Sequence, residues 1–271
     1  MKKYIDDVFV VTSYYNNIKS LEVSIRSVAD NVDVLIVDDG SDKPIQDYID
    51  TIRALNTLLN IYFIRNEGNC GIPKSLNRAL AWADENKDKD YKYYCRLDSG
   101  DEFIGDKISA QRDFLESNPD YVMVGSNAVY CNEQRIDYAE WIKPEFDLDI
   151  KREMHINSPY IHSSAMFRLD AIHKVGGYDC TFLAAQDYRL LADLIPIGKF
   201  KNLQSCYVRY EFTSNSVSSK KRLLQIINRI RIQLSIFNFT PIAFYGLARS
   251  ILLVLFPRSF INNVRTYLGL N

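Results

Sequence analysis

Short apolar runs rich in β-branched residues alternate with stretches of helical spacing along the first hundred residues. The runs predict four buried strands, at residues 8–12, 32–37, 61–64 and 93–97. Apolar residues at helical spacing predict helices between them, over 18–29, 45–59 and 73–82. Strands that alternate with helices form a mostly parallel sheet with helices on both faces. The pattern therefore predicts an α/β fold with a Rossmann-like central sheet.

The alternation becomes less regular in the second half of the chain. Apolar runs at 121–125 and 163–168 predict two further strands, whereas the segment 136–150 is rich in charged and turn residues. Beyond Ser214 the pattern predicts a basic helix, which is followed by an apolar run over residues 239–256. We expect a mixed second half and a helical tail.

Composition narrows the class of protein without identifying it. The 271 residues are 47% hydrophobic and 25% charged, which suits a globular core, and a net charge of −1 provides no general attraction to nucleic acid. Five cysteines are scattered without a Cys-x-x-Cys pair, so we expect neither a zinc site nor a disulfide framework. The first residues lack the long apolar stretch of a signal peptide, and we expect a cytoplasmic protein.

Candidate binding residues lie where the predicted strands end. Ligands of open α/β sheets bind beyond the carboxyl ends of the strands. Thr12 and Tyr14 lie at the end of the first strand, and Asp39 follows the second within Asp-Asp-Gly. Asp-Gly is typical of tight turns, but a carboxylate and an aromatic ring beside the first strand also suit a nucleoside.

The segment 65–77 is a glycine-bearing loop that leads into a helix with Pro73 in its first turn. Such a helix start, with Lys74 beside it, suits a phosphate group, and an ordinary capped helix explains it equally well. Neither the Gly-Lys-Ser/Thr order of a P-loop nor a dinucleotide fingerprint is present.

The acidic cluster Asp98-Ser99-Gly100-Asp101 directly follows an apolar strand. Crowded carboxylates repel one another unless a cation lies between them, and Mg²⁺ or Mn²⁺ prefers such oxygen ligands. We expect Asp98 and Asp101 to hold a divalent metal against a diphosphate. The alternative is an acidic loop that caps a helix beginning near Phe103.

Three residues further along the chain are candidates for chemistry on the acceptor side. Asp187 lies near the start of a predicted helix, where it either compensates the helix dipole or takes a proton from an acceptor hydroxyl. His162 could bind a phosphate or sugar hydroxyl, or serve a structural role. Trp141 lies in an irregular polar segment and either stacks on a sugar or anchors its loop.

In this order, the segments resemble the family 2 glycosyltransferases with the GT-A fold, and within them the bacterial enzymes that build O-antigen and capsular polysaccharides. The resemblance runs to about Tyr210 and is carried by residues 11–16, 37–41, 66–77, 97–101, 157–168, 176–178 and 186–188. It implies a catalytic domain over 1–215, with a nucleotide-sugar half (1–101) and an acceptor half (102–215), and a tail over 216–271.

The resemblance also implies roles for the candidate residues. By this resemblance, Thr12, Tyr14 and Asp39 contact the nucleoside, and Lys74 contacts the phosphates or the ribose. Asp98 and Asp101 bind the metal-diphosphate, and Asp187 acts as the general base. The family inverts the anomeric configuration in a single displacement.

This chain departs from the family pattern at two positions. Gly100 stands where the second carboxylate of Asp-x-Asp is usual, and Gln186 replaces the glutamate of the usual Glu-Asp pair. Both departures leave open the alternative that this chain is a relative that binds sugars but has impaired catalysis.

The tail carries the features of a helix at a membrane surface. Basic residues flank an apolar stripe formed by Leu223, Ile226, Ile227, Ile230 and Leu234. A helix packed on the catalytic domain explains the stripe equally well. Arg249 lies in the apolar run that follows and argues against a membrane-spanning helix. We expect peripheral association with the inner face of the cell membrane.

The expected function is therefore metal-assisted transfer of a hexose or deoxyhexose from a UDP- or dTDP-linked donor to a lipid-linked oligosaccharide. A metal-dependent sugar-phosphate nucleotidyltransferase is the nearest alternative, because it also combines a nucleotide domain with carboxylate-bound Mg²⁺.

Overall fold

A computed structural model describes residues 3–211 and 222–255. Its strands are β1 (Tyr4–Tyr14), β2 (Asn31–Asp38), β3 (Asn60–Arg65), β4 (Tyr93–Arg96), β5 (Glu102–Phe103), β6 (Tyr121–Cys131), β7 (Asp137–Trp141), β8 (Met166–Arg168) and β9 (Lys199–Glu211). Its α-helices are α1 (Ile18–Ser27), α2 (Ile49–Leu55), α3 (Ile72–Glu85), α4 (Lys107–Ser117), α5 (Asp147–Glu153), α6 (Leu169–Lys174), α7 (Gln186–Leu194), α8 (Arg222–Ser235) and α9 (Pro241–Leu255).

The strands form a single mixed sheet in the order β3-β2-β1-β4-β8-β6-β9-β5, and β7 pairs with the outer part of β6. Parallel pairing joins β3, β2, β1 and β4, and also β6 and β9. The short strands β5, β7 and β8 run antiparallel to their neighbours. The expected mostly parallel α/β sheet is confirmed.

The sheet has an apolar core on each face because side chains alternate along a strand. Phe9 and Val11 of β1 pack into one cluster, whereas Val8 and Val10 pack into the other. The first cluster contains residues of α3 and α7, and the second contains residues of α1, α2 and α4. Burial on both faces explains why these strands read as continuous apolar runs.

Three sequence-based expectations about the second half were wrong in detail. No helix begins near Phe103, which lies in β5, since α4 begins at Lys107. The segment 136–150 contains β7 and the start of α5, because Asp137–Trp141 pairs with β6. The run 163–168 is divided between a 3₁₀ turn and the short strand β8.

The two C-terminal helices, α8 and α9, lie against the preceding part of the described structure. On α8, Ile226 and Ile232 are buried, Asn228 donates to the Ala184 carbonyl (2.8 Å), and Gln233 donates to the His155 carbonyl (2.7 Å). Within the described ranges, no helix is both long and apolar enough to cross a membrane. The expected boundary between residues 215 and 216 lies outside the described residues.

Candidate active site

The candidate residues of the first half meet at one edge of the sheet. Strands β1, β2 and β4 are mutually parallel, so their last residues, Tyr14, Asp38 and Arg96, lie at the same edge of the sheet. Asp39 and Asp98 follow directly after these ends. The prediction that the site lies beyond the carboxyl ends of the strands is therefore consistent with the geometry.

Asp39 organises the loop that leads into α3. Its Oδ1 accepts hydrogen bonds from Asn66 Nδ2 (2.7 Å), the Cys70 amide (3.0 Å) and Ser75 Oγ (2.9 Å), and its Oδ2 accepts from the Gly71 amide (3.0 Å). Burial by itself raises the pKa of Asp39, but these hydrogen bonds, led by the Cys70 amide, hold it below its usual value. The carboxylate therefore caps the start of α3, and Oδ2 keeps room for one further donor.

The other nucleotide-side candidates differ in their exposure. Tyr14 is only 2% exposed and packs in the core, whereas the next residue, Tyr15, presents its ring to solvent. Thr12 is buried, and its hydroxyl has no hydrogen-bond partner among the described residues. Lys74 is exposed in the first turn of α3. The helix start is thus capped by Asp39, and Lys74 remains accessible.

Asp98 is paired with a buried arginine. The Arg96 guanidinium donates to Asp98 Oδ1 and to the Val11 carbonyl (2.8 Å), and its Nε has no partner among the described residues. Burial alone raises the pKa of Asp98, but the charge of the Arg96 guanidinium lowers it below the usual range. Asp98 is therefore ionised, with one oxygen held by Arg96 and the other 3.8 Å from His162 Nδ1.

Asp101 differs from Asp98 in both burial and charge. Its Oδ2 is hydrogen-bonded to the Ser163 hydroxyl, and its Oδ1 accepts from the Glu211 amide (3.3 Å). Burial, and then the nearby charge of Asp98, raises the pKa of Asp101 to about 8. The raised pKa favours the protonated form of Asp101.

These observations test whether Asp98 and Asp101 fit a divalent metal. Asp98 has one carboxylate oxygen free of Arg96, which suits a hard cation. Asp101 is buried and hydrogen-bonded at both oxygens, so its carboxylate would have to exchange one of these partners to bind a cation. Across residues 3–211 and 222–255, no cluster of three or more His, Cys, Asp or Glu side chains could hold a metal.

The backbone of the 98–101 loop is held by residues from other elements. Ser24 of α1 accepts from the Gly100 amide (2.9 Å) and donates to the Asp101 carbonyl (2.8 Å). Arg135, in the turn between β6 and β7, donates to the Gly100 carbonyl (2.6 Å) and pairs with Glu211 (3.1 Å). The loop is therefore a braced turn, and the alternative of a helix cap is wrong because α4 begins six residues later.

His162 lies between the donor-side carboxylate and a buried tyrosine. Its Nε2 is 3.0 Å from the Tyr178 hydroxyl. Burial lowers the pKa of His162, while the negative charges of Asp98 and Asp187 oppose that shift. The imidazole of His162 is thus neutral, although the charges of both carboxylates favour its protonated form.

Asp187 lies in the first turn of α7, as expected, and is half-buried. The Tyr160 hydroxyl donates to its backbone carbonyl (2.9 Å). Burial lowers the pKa of Lys143 to about 8, while the charges of Glu153 and then Asp187 oppose the shift. The segment 160–162 therefore contacts the helix of Asp187 at one end and approaches Asp98 at the other.

Trp141 belongs to a strand and a ring stack rather than to an irregular segment. Its ring stacks on Tyr130 with the centroids 4.9 Å apart, and Lys143 Nζ lies 4.1 Å from its centre. This stack anchors β7 on β6, and the half-buried ring keeps some surface open to solvent.

The structure adds four polar residues to the site that sequence reasoning missed: Arg96, Ser163, Arg135 and Glu211. Arg96 carried a signal, since a charged residue within the apolar run 93–97 requires a buried partner. The other three carried none, because their contacts join segments that are distant along the chain.

Comparison with known proteins shows the family to which the chain belongs. The family model for Glycosyl transferase family 2 matches residues 9–176, which is more than half of the chain. The chain belongs to this glycosyltransferase family. It is 24% identical over 223 residues to the amylovoran biosynthesis glycosyltransferase AmsE of Erwinia amylovora, covering 78% of this chain and 79% of the relative. It is also 22% identical over 259 residues to an uncharacterised glycosyltransferase of Haemophilus influenzae, covering 85% of this chain and 77% of the relative.

Solved structures support the same fold. TarS 1-349 of S. aureus in complex with UDP matches with a TM-score of 0.62 at 16% identity, over 93% of this chain and 71% of that one. The mannosyltransferase PcManGT of Pyrobaculum calidifontis, in complex with GDP-Man and Mn²⁺, matches with a TM-score of 0.62 at 12% identity, over 98% of this chain and 81% of that one. The expected GT-A fold is confirmed.

Proposed function

We propose that this glycosyltransferase moves a hexose or deoxyhexose from a UDP- or dTDP-linked donor to an oligosaccharide, with inversion at the anomeric carbon. The observation that carries the proposal is the segment 160–162, which joins the backbone of Asp187 to the surroundings of the Asp98 carboxylate. The Tyr160 hydroxyl donates a hydrogen bond to the backbone carbonyl of Asp187, and His162 Nδ1 lies 3.8 Å from Asp98 Oδ2. A sugar bound over this segment would have a base on one side and the diphosphate on the other.

The residues divide the chemistry between them. Asp187 takes the proton from the acceptor hydroxyl as that oxygen attacks the anomeric carbon. The bond from that carbon to the diphosphate breaks on the opposite face, and the nucleoside diphosphate leaves. On the donor side, the base and ribose lie beyond the end of β1, beside Asp39 and the exposed ring of Tyr15, while the buried Thr12 and Tyr14 support this edge from the core.

Positive charge for the diphosphate comes from Lys74 and from a divalent cation. Mn²⁺ or Mg²⁺, when bound, would be held by Asp98 and would neutralise charge on the leaving diphosphate. The Mn²⁺ and GDP-Man in the PcManGT complex support the use of a divalent cation with a nucleotide sugar. His162 supplies a neutral imidazole N–H that can reach a phosphate or sugar hydroxyl, and Trp141 an aromatic face for the acceptor.

Two measurements test the proposal: the identity of the leaving group, and the effect on kcat of removing the proposed base. Purified protein incubated with Mn²⁺, a panel of UDP- and dTDP-sugars and a lipid-linked oligosaccharide should release nucleoside diphosphate and form a product of inverted configuration by NMR. Asp187→Asn should lower kcat at least a hundredfold, since general base catalysis typically contributes about 10² to 10⁴.

The control for this substitution is Asp170→Asn, which removes an exposed carboxylate paired with Lys174. It should leave kcat unchanged. Release of pyrophosphate from a nucleoside triphosphate and a sugar phosphate would instead indicate a nucleotidyltransferase. Transfer that continues undiminished in Asp187→Asn would remove Asp187 as the base, and donor binding without transfer would indicate a catalytically impaired relative.

We further propose that the acceptor is lipid-linked, that the reaction belongs to bacterial surface polysaccharide synthesis, such as O-antigen, and that the protein works at the cytoplasmic face of the cell membrane. The similarity to AmsE supports the pathway. The membrane contact is supported by large exposed apolar side chains on the outer surface of α8 and α9: Leu223, Ile227, Leu234, Phe244, Tyr245, Ile251, Leu252 and Leu255.

Co-sedimentation with anionic phospholipid vesicles tests the membrane contact. Leu252→Glu changes an exposed position of α9 and should reduce the bound fraction severalfold without altering the fold. The matched control is Leu58→Glu, which alters an exposed leucine remote from the tail. Equal binding of both variants would count against a role for α9.

A further inference from the structure

A cavity of about 920 Å³ lies between the catalytic domain and the tail. It is bordered by α5 and nearby His155, by the carboxyl end of α7, and by the segment that joins α8 to α9. Its volume falls within the range of small-molecule sites, about 300–1,000 Å³. Neither Asp98 nor Asp187 lines it, so it is separate from the candidate active site.

Most of the cavity wall is aliphatic. Leu148, Ala192, Ile195, Ile236 and Ile242 contribute to it. Two large apolar side chains are unusually exposed there, with Leu148 of the wall at 76% and Phe239, next to the lining residues Asn238 and Thr240, at 79%. Such a surface is costly in water and suits an apolar chain.

One buried side chain that borders the cavity has a polar atom without a partner among the described residues. His155 is only 6% exposed, and its Nδ1 forms no hydrogen bond within the described residues. Leaving a buried nitrogen without a hydrogen bond is unfavourable. Burial lowers the pKa of His155, so its imidazole is neutral and can donate one N–H to a ligand.

The charges around the cavity favour an anion. Arg152 has a side chain that is 71% exposed, and its contact with Asp149 is long at 4.0 Å, so its guanidinium is available. Lys151 and Asp193 also line the cavity, but each is engaged, with Asp147 (2.9 Å) and Arg189 (2.6 Å) respectively. The amino-terminal turn of α9 adds a partial positive charge.

We propose that this cavity binds an amphiphile with a phosphate head and an apolar chain, the chemistry of an isoprenyl or alkyl phosphate. Arg152 and His155 hold the phosphate, and the aliphatic wall holds the chain. Arginine suits the head because its planar fork donates two parallel hydrogen bonds to phosphate oxygens. The site is distinct from the transfer reaction and is tested without donor or metal.

The experiment titrates the full-length protein with farnesyl phosphate below its micellar concentration, by isothermal calorimetry. Farnesol and inorganic phosphate are titrated in parallel to separate the chain from the head. Farnesyl phosphate should bind at least tenfold more tightly than either. Arg152→Gln should weaken it about tenfold or more, since a hydrogen bond to a charged group contributes about 1.5–3 kcal/mol. Arg26→Gln, at the exposed end of α1, should bind as the unaltered protein does.

Two further measurements locate the ligand. Ile242→Trp fills the cavity and should abolish binding, and its thermal midpoint is compared with that of the unaltered protein to confirm folding. The chain has 3 histidines, so NMR of labelled imidazoles should show one signal that moves with farnesyl phosphate and is missing in His155→Gln. Equal binding of inorganic phosphate, equal binding of farnesol with no effect of Arg152→Gln, or no binding at all would each overturn the proposal.

Discussion

The carboxylates at the carboxyl edge of the sheet differ in what neutralises them. Asp39 is satisfied by neutral donors of one loop, and Asp98 by the Arg96 guanidinium. Asp101 has neutral donors and a carboxylate neighbour, so it keeps its proton instead. One ionised carboxylate, Asp98, thus faces the proposed diphosphate, and a second charge beside it is avoided.

The raised pKa of Asp101 makes a prediction about stability and pH. Its folded-state pKa of about 8 exceeds the ordinary value of 3.8, so the folded state binds the extra proton between these values. Stability contributed by this group is therefore lost as pH rises from about 4 to about 8. Asp101→Asn keeps the hydrogen bonds of the neutral acid and escapes this loss. The thermal midpoint of the variant should exceed that of the unaltered protein increasingly as pH rises from 5 to 8.

The matched control is Asp106→Asn, which removes a carboxylate from the exposed residue before α4. Its midpoint should stay at a constant offset from that of the unaltered protein across the same pH range. A constant offset for Asp101→Asn as well would mean that Asp101 is ionised at neutral pH.

At the scale of elements, the loop 98–101 depends on Gly100. Its φ of +106° lies in a region that L-residues avoid, and a Cβ there would lie 3.2 Å from Glu211 Oε2. The carboxylate that is usual in the family at this position is thus excluded by backbone conformation and by Glu211. Arg135 and Ser24 hold the loop in the shape that glycine permits.

Gly100→Asp restores the usual family pattern and should destabilise the protein. The left-handed conformation costs an L-residue about 1–2 kcal/mol, and repulsion from Glu211 adds to it. Gly105→Asp is the matched control, because Gly105 also has a positive φ (+66°) but no atom within 4 Å of its Cβ position. Urea denaturation should show a larger loss of unfolding free energy for Gly100→Asp. Equal losses of unfolding free energy in the two variants would mean that the positive φ alone, without repulsion from Glu211, causes the destabilisation.

Prediction from sequence succeeded for the strands and helices that the spacing of apolar residues alone determines. The strands of the first half and the helix that carries Asp187 were predicted to within a few residues, because the runs 8–12 and 32–37 are buried on both faces. It failed for β7 and for the partners of Asp98. Trp141 joins a strand through pairing with β6, and Ser163 reaches Asp98 across 65 residues. Such contacts depend on the register of distant strands.

At the scale of the whole molecule, the tail is joined to the catalytic domain by close backbone contact. Gly246 of α9 lies so near the His155 carbonyl that a Cβ there would be 1.7 Å from the oxygen. Ala243 and Ser250 are buried on the same face of the helix. The opposite face carries the exposed apolar side chains, so α9 binds the protein through small residues and presents large ones outward.

Gly246→Ala should therefore loosen the tail from the catalytic domain. The added methyl group must displace backbone, and overpacking of this kind costs about 1–3 kcal/mol. Gly68→Ala is the control, because its Cβ position has no atom within 4 Å. Thermal denaturation should show a lower midpoint for Gly246→Ala alone. Hydrogen exchange should speed up in α8 and α9 while the amides of β1 and β2 stay protected, since local opening need not involve the sheet. Unchanged exchange in α9 would contradict this contact, whereas faster exchange in both regions would mean that tail and sheet unfold as one unit.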